Sequence, residues 1–279
     1  MSASERLSAA DRGVTEALRE GELKVEGRLT EASNATLYCK AVLGQASDDA
    51  GEQSSVTCVY KPIAGEKPLW DFPDGTLAAR EVAAYEVSEA LGWELVPLTL
   101  LRDGPFGLGM CQQWIDTEDE TRLLAVLPEN ARPADLDGWC PIMTVGLGDD
   151  EQGILVHRDD ETLRRIALFD AVINNADRKG GHLLPGLDGR IYAIDHGVSF
   201  HVEDKLRTLL WGFADRPLSE PETADLKRLR EDAAFAERLT GLLSAPETEA
   251  FHARIETLLT VRRLPGPAGR RRPIPWPLV

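Results

Sequence analysis

The hydrophobic pattern changes character partway along the chain. From Leu23 to Arg28 apolar and polar residues alternate, Thr36–Leu43 continues in β-forming residues, and Val56-Thr-Cys-Val-Tyr-Lys61 is a third such run, closed by Pro62. Leu29–Ala35 carries the turn residues of a hairpin, and Gln45–Ser55 is small and polar, as a loop would be. Leu77–Leu91 then shifts to a helical spacing, with Leu77, Val82, Tyr85, Val87 and Leu91 apolar and Gly92 as the stop. Val96–Leu101 and Leu108–Ile115 return to strand, joined by the turn Asp103-Gly-Pro-Phe-Gly107. The order is three strands, one helix, two strands.

Beyond Asp116 the alternation fades. Glu118–Gly153 is acidic and glycine-rich and predicts few regular elements. Glu161–Asn175 reads as a helix with Leu163, Ile166, Ala167, Asp170 and Ile173 on one face. Asp159, Asp160 and Glu161 stand at its start, where the helix dipole favours negative charge. A short strand at Ile191–Ile194 follows, then helices around Lys205–Gly212, Glu222–Thr240 and Thr248–Val261. The expected class is α+β, with a β-rich N-lobe over 21–115 and a helical C-lobe over 116–261. These are flanked by an N-terminal extension, 1–20, and a Pro/Arg-rich tail, 262–279.

Composition narrows the function. The net charge of −16 over 279 residues argues against general nucleic-acid binding, which needs a basic footprint. Only Arg262, Arg263, Arg270, Arg271 and Arg272 cluster; they offer weak contact to phosphate or lipid head groups, although a solvated, proline-stiffened end is the simpler expectation. No run of eighteen apolar residues exists, so no transmembrane segment is expected, and the polar N-terminus lacks a secretory core, pointing to the cytoplasm. Cys39, Cys58, Cys111 and Cys140 form no Cys-x-x-Cys pair and read as buried free thiols rather than zinc ligands.

The chemistry concentrates in Asn174-Asn-Ala-Asp-Arg-Lys-Gly-Gly-His182 and Tyr192-Ala-Ile-Asp-His-Gly197. A helix end, a polar loop with Asp177, a hairpin turn at Asp188-Gly189 and a strand ending in Asp195 would bring two carboxylates together, with Gly197 letting the chain bend. Phosphoryl transfer uses such a pair. One carboxylate orients the attacking hydroxyl; the other, with a polar residue five positions past the first, holds Mg²⁺ against the phosphates. Here that polar residue is His182.

At these residues the chain resembles the phosphatidylinositol 3-/4-kinase group and its HipA-like relatives within the protein-kinase-like fold. It is most similar to an actinobacterial family related to these kinases, through Tyr60-Lys61-Pro62, Pro68-Leu-Trp-Asp-Phe-Pro73 and Asp177-Arg-Lys-Gly-Gly-His182. The resemblance implies ATP and Mg²⁺ or Mn²⁺ as cofactors, with transfer to a hydroxyl acceptor, either a protein Ser/Thr or an inositol-type molecule. It implies Asp177 as catalytic base, Lys61 on the phosphates, and His182 and Asp195 at the metal. Ser33 and Asn34 would lie in a phosphate-covering hairpin, Glu81 (or Glu86) would pair with Lys61, and Gln112, Gln113, Trp114 and Ile115 would form the hinge.

Two departures stand out. The family usually has asparagine where this chain has His182 and an aromatic residue where it has His196. An imidazole suits Mn²⁺ or Zn²⁺ better than Mg²⁺. His182 is thus open to three roles: metal ligand, cationic contact to a phosphate, or packing. The alternatives to an active kinase are a nucleotide-binding pseudokinase and, less favoured, a metal-dependent hydrolase using His182, Asp195, His196 and His201.

Overall fold

The computed structural model describes residues 9–29, 34–44, 55–72, 76–118, 120–148 and 151–278. After helix α1 (Ala9–Glu20) come β1 (Glu22–Arg28), β2 (Leu37–Val42) and β3 (Ser55–Pro62), helix α2 (Leu77–Leu91), then β4 (Thr99–Gly104) and β5 (Gly107–Gln113). The strands form one antiparallel sheet in the order β1-β2-β3-β5-β4. Alternation sends Cys39, Ala41, Cys58, Tyr60 and Cys111 to one face, beneath Leu18 of α1 and Leu23. The opposite face meets α2 through Met110, Ala78 and Val82. The four cysteines are free and buried, as composition suggested.

α2 is fixed at its start and along its length. Its first backbone N–H groups have no intrahelical acceptor; the Glu66 carboxylate accepts from Leu77 and Ala78 (3.0 and 2.9 Å), and the Thr76 hydroxyl accepts from Ala79. Arg80, one turn in, forms a buried ion pair with Glu247 at 2.7 Å. Glu247 belongs to α6 (Ala245–Val261), so α2 is tied to the helical half of the molecule.

The acidic, glycine-rich stretch differs from expectation. It folds as β6 (Leu124–Pro128), β7 (Trp139–Gly148) and β8 (Glu151–Arg158), a three-stranded antiparallel sheet in the order β6-β8-β7. Most of β7 is exposed or half-buried, so it needs no apolar alternation and carries no clear strand signal.

Helix α3 (Glu161–Ile173) lies in the centre of the second half, capped by Asp160, which accepts from Thr162 and Leu163. Around it pack the hairpin β9 (Leu183–Pro185) and β10 (Ile191–Ala193), helices α4 (Glu220–Glu231) and α5 (Ala233–Thr240), and α6; Phe169, Val172, Phe200, Phe251 and Ile255 are part of the shared core. The single helix expected over Glu222–Thr240 is interrupted at Asp232, which ends α4 and caps α5 by accepting from Phe235. Lys205–Gly212 is not a helix. Its backbone bonds outward instead: Arg207 N–H donates to the Asn175 carbonyl, and the Arg207 carbonyl accepts from Arg178. No helix among the described residues is long and apolar enough to cross a membrane.

Gly109 in β5 faces β3 so closely that a Cβ would stand 2.6 Å from the Lys61 carbonyl and 2.6 Å from the Tyr60 ring. Gly109→Ala is expected to cost about 1–3 kcal/mol in urea unfolding through overpacking. Gly146→Ala, which meets nothing within 4 Å, should change stability by less than about 0.5 kcal/mol.

His157 on β8 is fully buried; its Nδ1–H donates to the Arg158 carbonyl at 2.8 Å and its Nε2 has no partner. Desolvation holds its pKa below the ordinary histidine value. The unfolded chain therefore takes up this proton at a higher pH than the fold does, and stability is lost as pH falls below about 6.5. His157→Asn should flatten that acid slope in unfolding titrations, whereas an unchanged slope would contradict the assignment.

Candidate active site

Three stretches of chain converge below the sheet: the end of β3 with Lys61, the middle of α2 with Glu81, and the turn after β10 with Asp195. The Lys61 ammonium lies 2.7 Å from Glu81 Oε1 and 3.0 Å from Asp195 Oδ1. Burial alone would lower the lysine pKa, but the Asp195 and Glu81 charges outweigh it and hold the group above its ordinary value. The Lys61 charge, acting against desolvation, keeps the Asp195 carboxyl well below the carboxylate range. Glu81 Oε2 accepts the His196 N–H at 2.7 Å, so one glutamate fixes both the lysine and the backbone of the Asp195 turn. The other candidate, Glu86, pairs instead with Arg238 at 2.6 Å.

Asp195 has φ of 63°, a left-handed conformation uncommon outside glycine. The sharp bend expected at Gly197 thus falls two residues earlier; Gly197 instead gives close packing, since a Cβ there would stand 3.1 Å from Leu77 Cβ. His182 points Nε2 at Asp195 Oδ2, 3.3 Å away. Desolvation pushes its pKa down to about 4, so the ring is neutral near pH 7. His196 is turned into the core, edge-on to Phe169 (5.5 Å between centroids) with Nε2 2.6 Å from Arg178 Nη2. It does not share a metal centre with His182, contrary to the hydrolase arrangement. Among the described residues no group of three or more His, Cys, Asp or Glu side chains is placed to hold a metal.

α3 ends with Asn174 in the left-handed conformation, and its side chain binds the backbone of His201, Glu203 and Lys205. Asn175 braces the loop by accepting from Asp177 N–H at 2.9 Å and donating to Asp170. Asp177 itself is partly exposed and 3.1 Å from the Lys179 ammonium. Desolvation, opposed by Lys179, raises its carboxyl pKa.

The hinge expectation falls on the end of β5 and the segment after it. Gln112 is buried and donates to Thr99 Oγ1 (2.8 Å), Gln113 pairs with Cys58, and Trp114 N–H donates to the Thr57 carbonyl while its ring stands edge-on to Tyr38. Ile115 is half-buried as the chain leaves the sheet. At Asp116–Glu118 it pairs with the β9 hairpin. Asn34 is tied to the Lys67 N–H through its side-chain oxygen; Ser33 lies outside the described residues.

Sequence reasoning missed the residue that organises this centre. Arg178 has no exposed surface. Its guanidinium donates to both Asp170 oxygens (2.9–3.1 Å), to the Ile194 carbonyl (2.8 Å) and to His196. The available signal was Asp170, an acid on an otherwise apolar helix face, which needs a buried cation.

The fold is protein-kinase-like: a β-rich lobe with a strand lysine paired to a helix glutamate, and a helical lobe with two loop aspartates. Hydra Fam20, solved with sugar, matches at a TM-score of 0.55 and 13% identity, covering 91% of this chain and 88% of that one. The Golgi casein kinase with Mn/ADP bound matches at 0.51 and 12%, covering 90% and 74%. No protein-family model matches. The chain belongs to the family of protein Rv2133c of Mycobacterium tuberculosis (strain ATCC 25618 / H37Rv), with 47% identity over 270 residues and 93% of each chain covered.

Arg178→Met would leave Asp170 buried without its cation, at a cost of about 3–5 kcal/mol. Pairing it with Asp170→Asn should recover a large part of that loss in a double-mutant cycle by urea unfolding. Additive losses would contradict the pairing.

Proposed function

We propose that this protein is an ATP-dependent phosphotransferase that moves the γ-phosphoryl group to a hydroxyl acceptor. The observation that carries this reading is the Lys61–Glu81–Asp195 cluster, a cation held by two carboxylates at the junction of sheet and helical half. Holding a lysine and a second carboxylate against the buried Glu81 carboxylate is expensive, and phosphate binding gives the cluster a use. Lys61 presents its ammonium to the phosphates and Glu81 aims it. Asp177, on the neighbouring loop, orients the acceptor hydroxyl and takes its proton; Lys179 beside it offsets negative charge. Ser33, Asn34 and Gln112–Ile115 are the proposed surroundings of the nucleotide.

The donor set fits a divalent cation. Asp195 supplies a carboxylate whose side chain is 49% exposed, and neutral His182 supplies an imidazole beside it. Sites shared with phosphates and water need few protein ligands, and a nitrogen donor favours Mn²⁺ over Mg²⁺. When bound, the cation neutralises charge on the phosphates. The Mn/ADP bound to the Golgi casein kinase supports this choice.

The motif resemblance to phosphatidylinositol 3-/4-kinases and HipA-like proteins supports an inositol-type hydroxyl or a protein Ser/Thr as acceptor. A pseudokinase is the second reading, favoured by His182 standing where the resemblance expects asparagine.

With radiolabelled ATP and Mn²⁺ or Mg²⁺, the purified protein is expected to show autophosphorylation or ATP turnover. Asp177→Ala and Lys61→Met should each lower it by about 10²–10⁴-fold, with nucleotide thermal protection retained in Asp177→Ala. Equal turnover in wild type and Asp177→Ala would remove Asp177 from the chemistry. ATP protection without turnover in the wild type would establish the pseudokinase.

A further inference from the structure

The segment 262–278 does not extend into solvent as its composition suggested. Its first part is firmly anchored. Leu264 exchanges backbone hydrogen bonds with Asp215 and Arg216, and Arg263 donates to the Asp215 carbonyl. Arg270 pairs with Asp204 and lies over the Trp211 ring, 5.6 Å from its centroid. The Pro273 carbonyl accepts from both Thr208 N–H (3.1 Å) and Trp211 Nε1–H (2.8 Å).

Beyond Pro273 the hold changes. Ile274 packs against Leu206 and Trp211, and Pro275 is buried, but Trp276 is 84% exposed and Pro277 is exposed as well. The next contact is with the loop that carries Asp177: Gly180 N–H donates to the Leu278 carbonyl at 2.9 Å. Between anchor and tip lies the stretch 207–209, bonded on one side to Asn175 and Arg178 and on the other to Pro273. The segment therefore crosses this stretch and comes down three residues after Asp177.

Its chemistry suits a blocking role. Residues 262–278 contain no serine, threonine or tyrosine, so the strap offers no hydroxyl to the base it approaches. Pro273, Pro275 and Pro277 stiffen the approach and reduce the entropy cost of holding it closed.

We propose that residues 274–278 form a strap over the acceptor side of the catalytic loop, which must lift from Gly180 before an acceptor reaches Asp177. This rests on the phosphotransferase reading and adds a gate to it.

The test is the full chain carrying Pro275→Gly and Pro277→Gly, compared with wild type in three measurements. These are hydrogen exchange at the Gly180 amide, ATP turnover with Mn²⁺ using water and a random Ser/Thr peptide library as acceptors, and thermal protection by ATP. The expected result is Gly180 exchange at least tenfold faster, turnover at least threefold higher, and equal ATP protection. Equal Gly180 exchange in the two chains, or turnover unchanged or lower in the variant, overturns the strap. Absence of ATP protection in both chains instead overturns the phosphotransferase reading on which the strap depends.

Discussion

One guanidinium, that of Arg178, joins the parts of this molecule that its chemistry needs together. It reaches the central helix through Asp170, the strand before Asp195 through the Ile194 carbonyl, and the turn after it through His196. These partners come from two segments, the central helix and the 194–196 turn, and both border the proposed phosphoryl-transfer centre. A cation with no exposed surface is costly unless every donor is engaged, so the pocket around it tolerates little displacement. The spacing of Asp177 and Asp195 follows from that constraint, because one precedes Arg178 directly and the other follows Ile194 directly.

A second tie sets the other side of the candidate site. Glu81 bonds the Lys61 ammonium with one oxygen and the His196 N–H with the other, linking the sheet to the Asp195 turn. Arg80, the preceding residue on the same helix, pairs with Glu247 on α6. Adjacent residues of α2 thus grip both the candidate site and the helical core. The helix orients the lysine, and the C-terminal half orients the helix.

Much of this was legible in the sequence, for identifiable reasons. Leu77–Leu91 has a clear helical spacing and a glycine stop, and its bounds match the structure. The strands around Lys61 alternate because one of their faces is buried beneath α1. The loop and strand carrying Asp177 and Asp195 were recognisable because glycines and turn residues punctuate them. Other features could not be read. Strands β6 and β7 are mostly exposed or half-buried, so they lack the apolar rhythm that betrays a buried face. Lys205–Gly212 looked helical because its apolar residues are well spaced, yet its backbone is bonded to the Asp177 loop. Arg178 passed as an ordinary member of an Asp-Arg motif, since sequence alone does not say that its partner is eight residues earlier on α3. The proline-rich segment read as solvated because its anchors, Asp204, Trp211 and Asp215, are distant in sequence.

On the proposed reading, Lys61 and Asp195 are held together to receive a nucleotide and its cation. Calorimetric titration of ATP, in the presence of Mn²⁺, into wild type and Asp195→Asn tests it most directly. Measurable binding to the wild type and a Kd at least tenfold weaker in the variant are expected. Equal affinities, with both proteins folded, would contradict it.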